Sequence, residues 1–241
     1  MSRLPIRSTR RTSLRGVATV LSIFALALGA SAPGAATFSD GTFAPADWSV
    51  AVQGLNLGGS VNASQVASGG NPGLFRRIDN VLNSAIGQPF SNSVFGFHAY
   101  APAVWNPSVD GTIVTLDYSE DAFRFAGSGV QANGIALRQG GVIYYGPSSV
   151  TPSTTGVWQP YSWTALVAAN FDALPAGVQN PDFTATGGPI EFGFFRANST
   201  SVGGGGSTVS GGIDNWSVTI HPAVTSTRRS TWGRVKALYA R

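Results

Sequence analysis

Pro189-Ile190-Glu191-Phe192-Gly193-Phe194-Phe195 is the stretch that decides the fold. Ile190, Phe192 and Phe194 alternate with Glu191 and Gly193, and a period of two puts one face of a β-strand on a core and the other toward water. Thr112–Tyr118, Gly141–Tyr145 and Ile213–Ile220 read the same way, and in the last of them Trp216, Val218 and Ile220 share a face with the spacing of core residues, as Trp48 does near the front. Gly, Pro, Asn and Ser clusters separate these runs. Asp110-Gly111, Asn133-Gly134 and Gly140-Gly141 are predicted turns, where a positive φ is often required. Short strands punctuated in this way predict an all-β protein, a two-sheet antiparallel β-sandwich of the jelly-roll kind.

Three segments are read less directly. Leu74–Ile86 is taken as a strand, although Leu74, Ile78, Leu82 and Ala85 also fit one face of a helix. Trp163–Leu174, free of Gly and Pro and rich in Ala and Leu, is the one short helix expected, packed over the sandwich. Ser201–Ser210, with four consecutive glycines, reads as a flexible loop between two strands.

Charge divides the chain into three parts. Of fifteen Lys and Arg residues, five lie within the first fifteen positions and five within the last fourteen. Thr37–Pro222 holds five arginines against all eleven carboxylates, a net charge of −6, so the high isoelectric point belongs to the ends. That removes the basic face which nucleic-acid binding needs. Residues 1–36 read as a signal peptide: a basic start, the apolar run Gly16–Gly29, then small residues, with cleavage expected after Ala36 or Ala30. The apolar run is too short for a transmembrane anchor. The protein is therefore expected to be secreted, with one domain over 37–222. Cysteine is absent, and a body of this size needs no disulfide to hold its core. The tail, 223–241, is basic and places Trp232, Val235 and Leu238 on one helical face; it resembles short C-terminal tags of exported bacterial proteins and implies a sorting or docking partner.

Candidate binding chemistry is aromatic. Sugar rings stack on exposed aromatic faces, and Trp105, Tyr144, Tyr145, Trp158 with Gln159, and Tyr161 are the candidate ligand-binding residues, each with core or turn packing as its plainer reading. Arg76-Arg77 reads as a solvated or salt-bridged pair. Catalysis finds little support. Asp117, Glu120 and Asp121 form the densest acidic cluster and read as a solvated turn. His98 reads as an ordinary strand residue, and no nucleophile motif, phosphate loop or zinc spacing is present.

The ends of the body, Phe38-Ser39-Asp40-Gly41-Thr42-Phe43 and Gly212-Ile213-Asp214-Asn215-Trp216-Ser217-Val218, resemble the first and last strands of galactose-binding-like jelly rolls. Phe95–Pro107, Gly134–Tyr145 and Trp158–Phe171 are similar to laminin IV (laminin B) type domains. The resemblance implies a non-catalytic binding module for carbohydrate or another surface polymer. Its alternative is a structural matrix or envelope protein, with a divergent sandwich-fold hydrolase third. It also implies calcium where first and last strands meet, with Asp40 and Asp214 as the metal ligands. Beside that stands the simpler reading, in which Asp40 caps a turn and Asp214 begins a strand.

Overall fold

A computed structural model of the chain describes residues 34–177 and 179–224; the expected signal segment up to residue 33 and the tail beyond 224 lie outside them. The described residues form a two-sheet antiparallel sandwich. The strands are β1 (Ala36–Asp40), β2 (Trp48–Leu55), β3 (Gly59–Gly70), β4 (Gly73–Leu82), β5 (Asn92–Trp105) and β6 (Ile113–Arg124), followed by β7 (Ala132–Gln139), β8 (Val142–Val150), β9 (Trp158–Leu166), β10 (Asp172–Leu174), β11 (Ile190–Thr200) and β12 (Ser207–Pro222). One sheet has the order β3-β4-β12-β6-β9, and the other β10-β8-β7-β11-β5-β2. We call them the β12 sheet and the β11 sheet.

β12 organises the first of these. Its front half pairs with β4, its back half pairs with β1 from Ala36↔Ile220 to Asp40↔Trp216, and β6 runs along its other side. First and last strands are thus neighbours, as the jelly-roll reading requires. Ala36 is already paired, so the expected boundary at 36/37 falls one residue inside β1.

Alternation sends Ile190, Phe192 and Phe194 of β11 inward against Trp216, Val218 and Ile220 of β12, and all six are buried in one core cluster. Trp48 and Trp216 meet edge to face there, 5.2 Å between ring centroids. Part of the interior is polar. Glu120 of β6 and Arg196 of β11 form an ion pair of 3.1 Å with both side chains wholly buried, and Tyr118 Oη and Asn133 Nδ2 donate to the same carboxylate. This joins the two sheets through the core.

Several expectations need correction. Trp163–Leu174 is not a helix: β9 runs to Leu166, Ala168–Asn170 is a single 3₁₀ turn, and β10 follows. Trp163 pairs across to Tyr118 and Leu166 to Leu116, so tertiary pairing overrides alanine's helix preference. The short α-helix, α1, is one turn at Pro107–Asp110, capped by Asn106, which accepts from Ser108 N at 3.2 Å. Asn133-Gly134 is no turn but lies inside β7, where a Cβ on Gly134 would stand 2.5 Å from the Pro147 carbonyl oxygen. Glu120 belongs to a buried strand position rather than a solvated turn. The glycine-rich loop spans only 201–206, since β12 begins at Ser207. Leu74–Ile86 is strand through Leu82, as expected.

Candidate functional site

Parity along each strand decides which candidates meet solvent. Tyr144 pairs with Leu137 and faces inward; it is 6% exposed and part of the main core. Trp105 is likewise a core residue, with its indole N–H spent on the Gly111 carbonyl at 2.8 Å. Neither is available to a ligand. The structure therefore corrects both assignments.

Tyr145 points the other way, onto the outer face of the β11 sheet. There Phe95 and Phe195 stack at 4.9 Å with an interplanar angle of 14°, and Tyr145 leans against both at 6.0 and 5.9 Å. Phe97, Ala99, Ala136 and Ile143 complete an apolar floor, separate from the main core. A cavity of about 260 Å³ opens beside the rings, with walls that include Leu55, Phe95, Ala132, Tyr145, Leu174 and Phe195. Its lining draws on all six strands of the sheet and contains no charged side chain. Phe95 and Phe195 were not singled out from the sequence. The signal was there in part, because two aromatics sit at the same parity on paired strands, but register is needed to see that they touch.

Trp158 lies on the opposite side of the molecule. Its indole N–H donates to the Gly69 carbonyl at 2.9 Å, and its ring packs on Phe75 and Phe123 on the outer face of the β12 sheet. Tyr161 spends its hydroxyl on the Val150 carbonyl and stacks on Trp163. The five candidates thus divide among the core, two separate faces and a sheet edge.

At the junction of first and last strands, the Asp40 carboxylate accepts from Thr42 N (2.7 Å), Thr42 Oγ1 (2.7 Å), Phe43 N (3.0 Å) and Trp48 Nε1 (2.6 Å). An ionised carboxylate has about four lone-pair positions, and all are engaged. Asp214 accepts from Asn71 N and Asn215 N, one bond to each oxygen. Burial, with the charges of Asp121 and Asp40 adding to it, pushes the Asp214 carboxyl up against the pull of those two donors. Among the described residues no three His, Cys, Asp or Glu side chains gather so as to hold a metal ion. With its four acceptor positions filled from Thr42, Phe43 and Trp48, Asp40 has the geometry of a turn cap.

The acidic residues of β6 are also committed. Glu120 is paired inside the core. Asp117 accepts from Ala165 N and faces His221 at 2.8 Å, and the Ala165 N–H leads the effects that lower its pKa, with His221 adding to it. No pair of carboxylates faces the cavity on the β11 sheet.

No protein-family model and no curated protein matches this sequence. Among solved structures, it is similar to a family 11 carbohydrate-binding module from Clostridium thermocellum in complex with a β-1,3-1,4-mixed-linked tetrasaccharide, at 14% identity, covering 80% of this chain and 99% of that one, with a TM-score of 0.45. A family 11 module of a cellulosomal cellulase from the same organism follows at 12% identity, 82% and 99% coverage and a TM-score of 0.44. A CBM22-1 xylan-binding domain from Paenibacillus barcinonensis stands at 13%, 81% and 99%, with a TM-score of 0.39. These are distant likenesses.

Proposed function

We propose that this protein is a secreted, non-catalytic carbohydrate-binding module that takes an uncharged polysaccharide on the outer face of its β11 sheet. The observation that carries the proposal is the pair of part-exposed rings, Phe95 and Tyr145, seated on the buried Phe195 beside an uncharged cavity. Sugar rings present flat C–H faces that pack on such rings, while Gln53, Ser93 and Ser148 at the margin supply hydrogen-bonding groups for hydroxyls. Six strands at about 4.8 Å spacing give a lining about 24 Å across, which suits an extended chain rather than one ring. The absence of cations from the lining argues against an anionic polymer. The absence of a facing carboxylate pair argues against glycoside hydrolysis, which needs two. Binding of the full-length protein to an array of neutral polysaccharides, mixed-linkage β-glucan and xylan among them, tests the reading. Tyr145→Ala is expected to abolish the signal while the protein stays folded; an array negative for the folded wild type rejects it.

One observation favours a second reading, a structural protein of matrix or envelope. β2 and β3 form edges of the two sheets, and from Trp48 to Phe75 the chain carries no charged residue. Exposed edges are commonly guarded by charge or proline, so this flank is open to another strand. Light scattering over a hundredfold concentration range separates the readings, because a strict monomer that binds glycan leaves only the first.

A further inference from the structure

Outer positions of an antiparallel sheet facing water are ordinarily polar, and most of the β12 sheet obeys: Asp117, Ser119 and Asp121 of β6 stand beside Ser217 and Thr219 of β12. One end of that face does not. Phe75 of β4, Phe123 of β6, Phe125 just beyond the end of β6, and Trp158 of β9 close a ring of four contacts, with centroid distances of 5.4 Å (Phe75–Trp158), 5.1 Å (Trp158–Phe123), 4.9 Å (Phe123–Phe125) and 6.2 Å (Phe125–Phe75). Gly212 of β12 lies beneath them; a Cβ there would meet Trp158 at 3.0 Å and Phe123 and Phe75 at 3.2 Å. The glycine lets the rings lie down on the sheet. Phe123, Phe125 and Trp158 remain part-exposed.

Polar groups flank the patch in an ordered way. The Arg77 guanidinium stacks on Phe125, 4.8 Å from its centroid, and its Nε donates to both oxygens of Asp79 at 2.9 and 3.2 Å. Its Nη2 donates to Ser210 Oγ at 3.1 Å, and Ser210 Oγ donates to Asp79 Oδ1 at 2.5 Å. Nη1 has no partner among the described residues. A cavity of about 480 Å³ lies at this spot, lined by Arg77, Phe125, Ser128, Thr208 and Ser210 among others.

From this geometry we propose a second carbohydrate site, on the outer face of the β12 sheet, so that one chain binds sugar on both faces of the sandwich. A fixed ion pair beside an aromatic patch offers donor and acceptor at neighbouring points, the arrangement that a vicinal diol matches, with its ring against the part-exposed aromatic surface that Arg77 leaves uncovered. Asp79 cancels the charge of Arg77, so the site selects uncharged sugars over anionic ones. The two sites face opposite directions, and a chain carrying both would bridge two polymer strands. The inference shares its ligand class with the groove proposed above but none of that groove's residues.

Equilibrium dialysis of the full-length protein against cello-, laminari- and xylotetraose reads the number of sites per chain. Two sites are expected with at least one of the sugars. Arg77→Gln is expected to remove one, weakening it at least tenfold, and Tyr145→Ala to remove the other; Phe125→Ser gives a second reading of the first loss, with circular dichroism to confirm folding. One site lost with Tyr145→Ala and indifferent to Arg77→Gln overturns this inference and leaves the groove standing. One site lost only with Arg77→Gln does the reverse. No binding of any of the three overturns both.

Discussion

Asp40 shows how much one side chain settles. Its carboxylate ties the start of the Gly41–Asp47 connection to the indole of a core tryptophan, and it holds Phe43 at a φ of 50°, in the left-handed region. Hydrogen bonds to a charged acceptor contribute about 1.5–3 kcal/mol each, and four donors sharing one carboxylate contribute less than their sum. Asp40→Ala is expected to cost about 3 kcal/mol in urea unfolding, whereas calcium or a chelator leaves the wild-type midpoint where it is. A chelator-induced fall in that midpoint would return the metal to this junction. His98 makes a second case. It stacks on Phe194 at 4.5 Å, fully buried, and neither ring nitrogen has a hydrogen-bond partner. Burial first, then the charges of Arg76 and Arg196, hold its imidazole well below the ordinary value. The unfolded chain takes up a proton near pH 6.5 that the folded chain refuses, so stability present above that pH is lost as the pH falls below it. His98→Leu removes this loss: between pH 7 and pH 5 its unfolding midpoint is expected to move less than that of the wild type. An equal slope in both proteins contradicts the assignment.

Among the elements, β11 was the most legible and β9 the least. β11 lies between β5 and β7 with one face on the core, and such a strand writes its alternation plainly. β9 is an edge strand carrying Pro160, interrupted where Ala165 adopts a φ of 56° and its N–H turns to Asp117. Its apolar residues follow no single period, so composition suggested a helix. Gly134 misled for a related reason: Asn-Gly is a common turn pair, and the crowding that calls for glycine inside β7 comes from Pro147 and Phe195, which only register brings near. Gly193 has the same character at the irregularity between β5 and β11, where a Cβ would sit 1.9 Å from the His98 carbonyl oxygen. Gly193→Ala is therefore expected to cost more than about 3 kcal/mol, a large value for removing no contact. A thermal melt within 2–3 °C of the wild type, roughly 1 kcal/mol or less at this size, would show that the strands yield there.

For the molecule as a whole, the sequence conveyed the sandwich and the acidic, cation-poor body, because those depend on pattern and composition; the pairing of its ends was implied by the jelly-roll resemblance alone. The site was legible only in part. Tyr144 and Tyr145 are adjacent, so a strand must bury one and present the other, and cross-strand pairing decides which. Trp105, read from the sequence as a candidate sugar contact, ends a 14-residue strand and turns into the core. If the chain is exported as proposed, cleavage after Ala36 would strip a paired residue from β1, so the processed chain is expected to begin at Ser31, as mass spectrometry of the culture medium can read. A start at Thr37 would show that this pair is dispensable.

The central claim is that the face bearing Phe95, Tyr145 and Phe195 receives the sugar. Amide chemical-shift mapping of the full-length protein, titrated with a neutral oligosaccharide that the array selects, tests it most directly. The account expects saturable shifts on β5, β8 and β11 around those three residues. Saturable binding that leaves all three strands unmoved would contradict it.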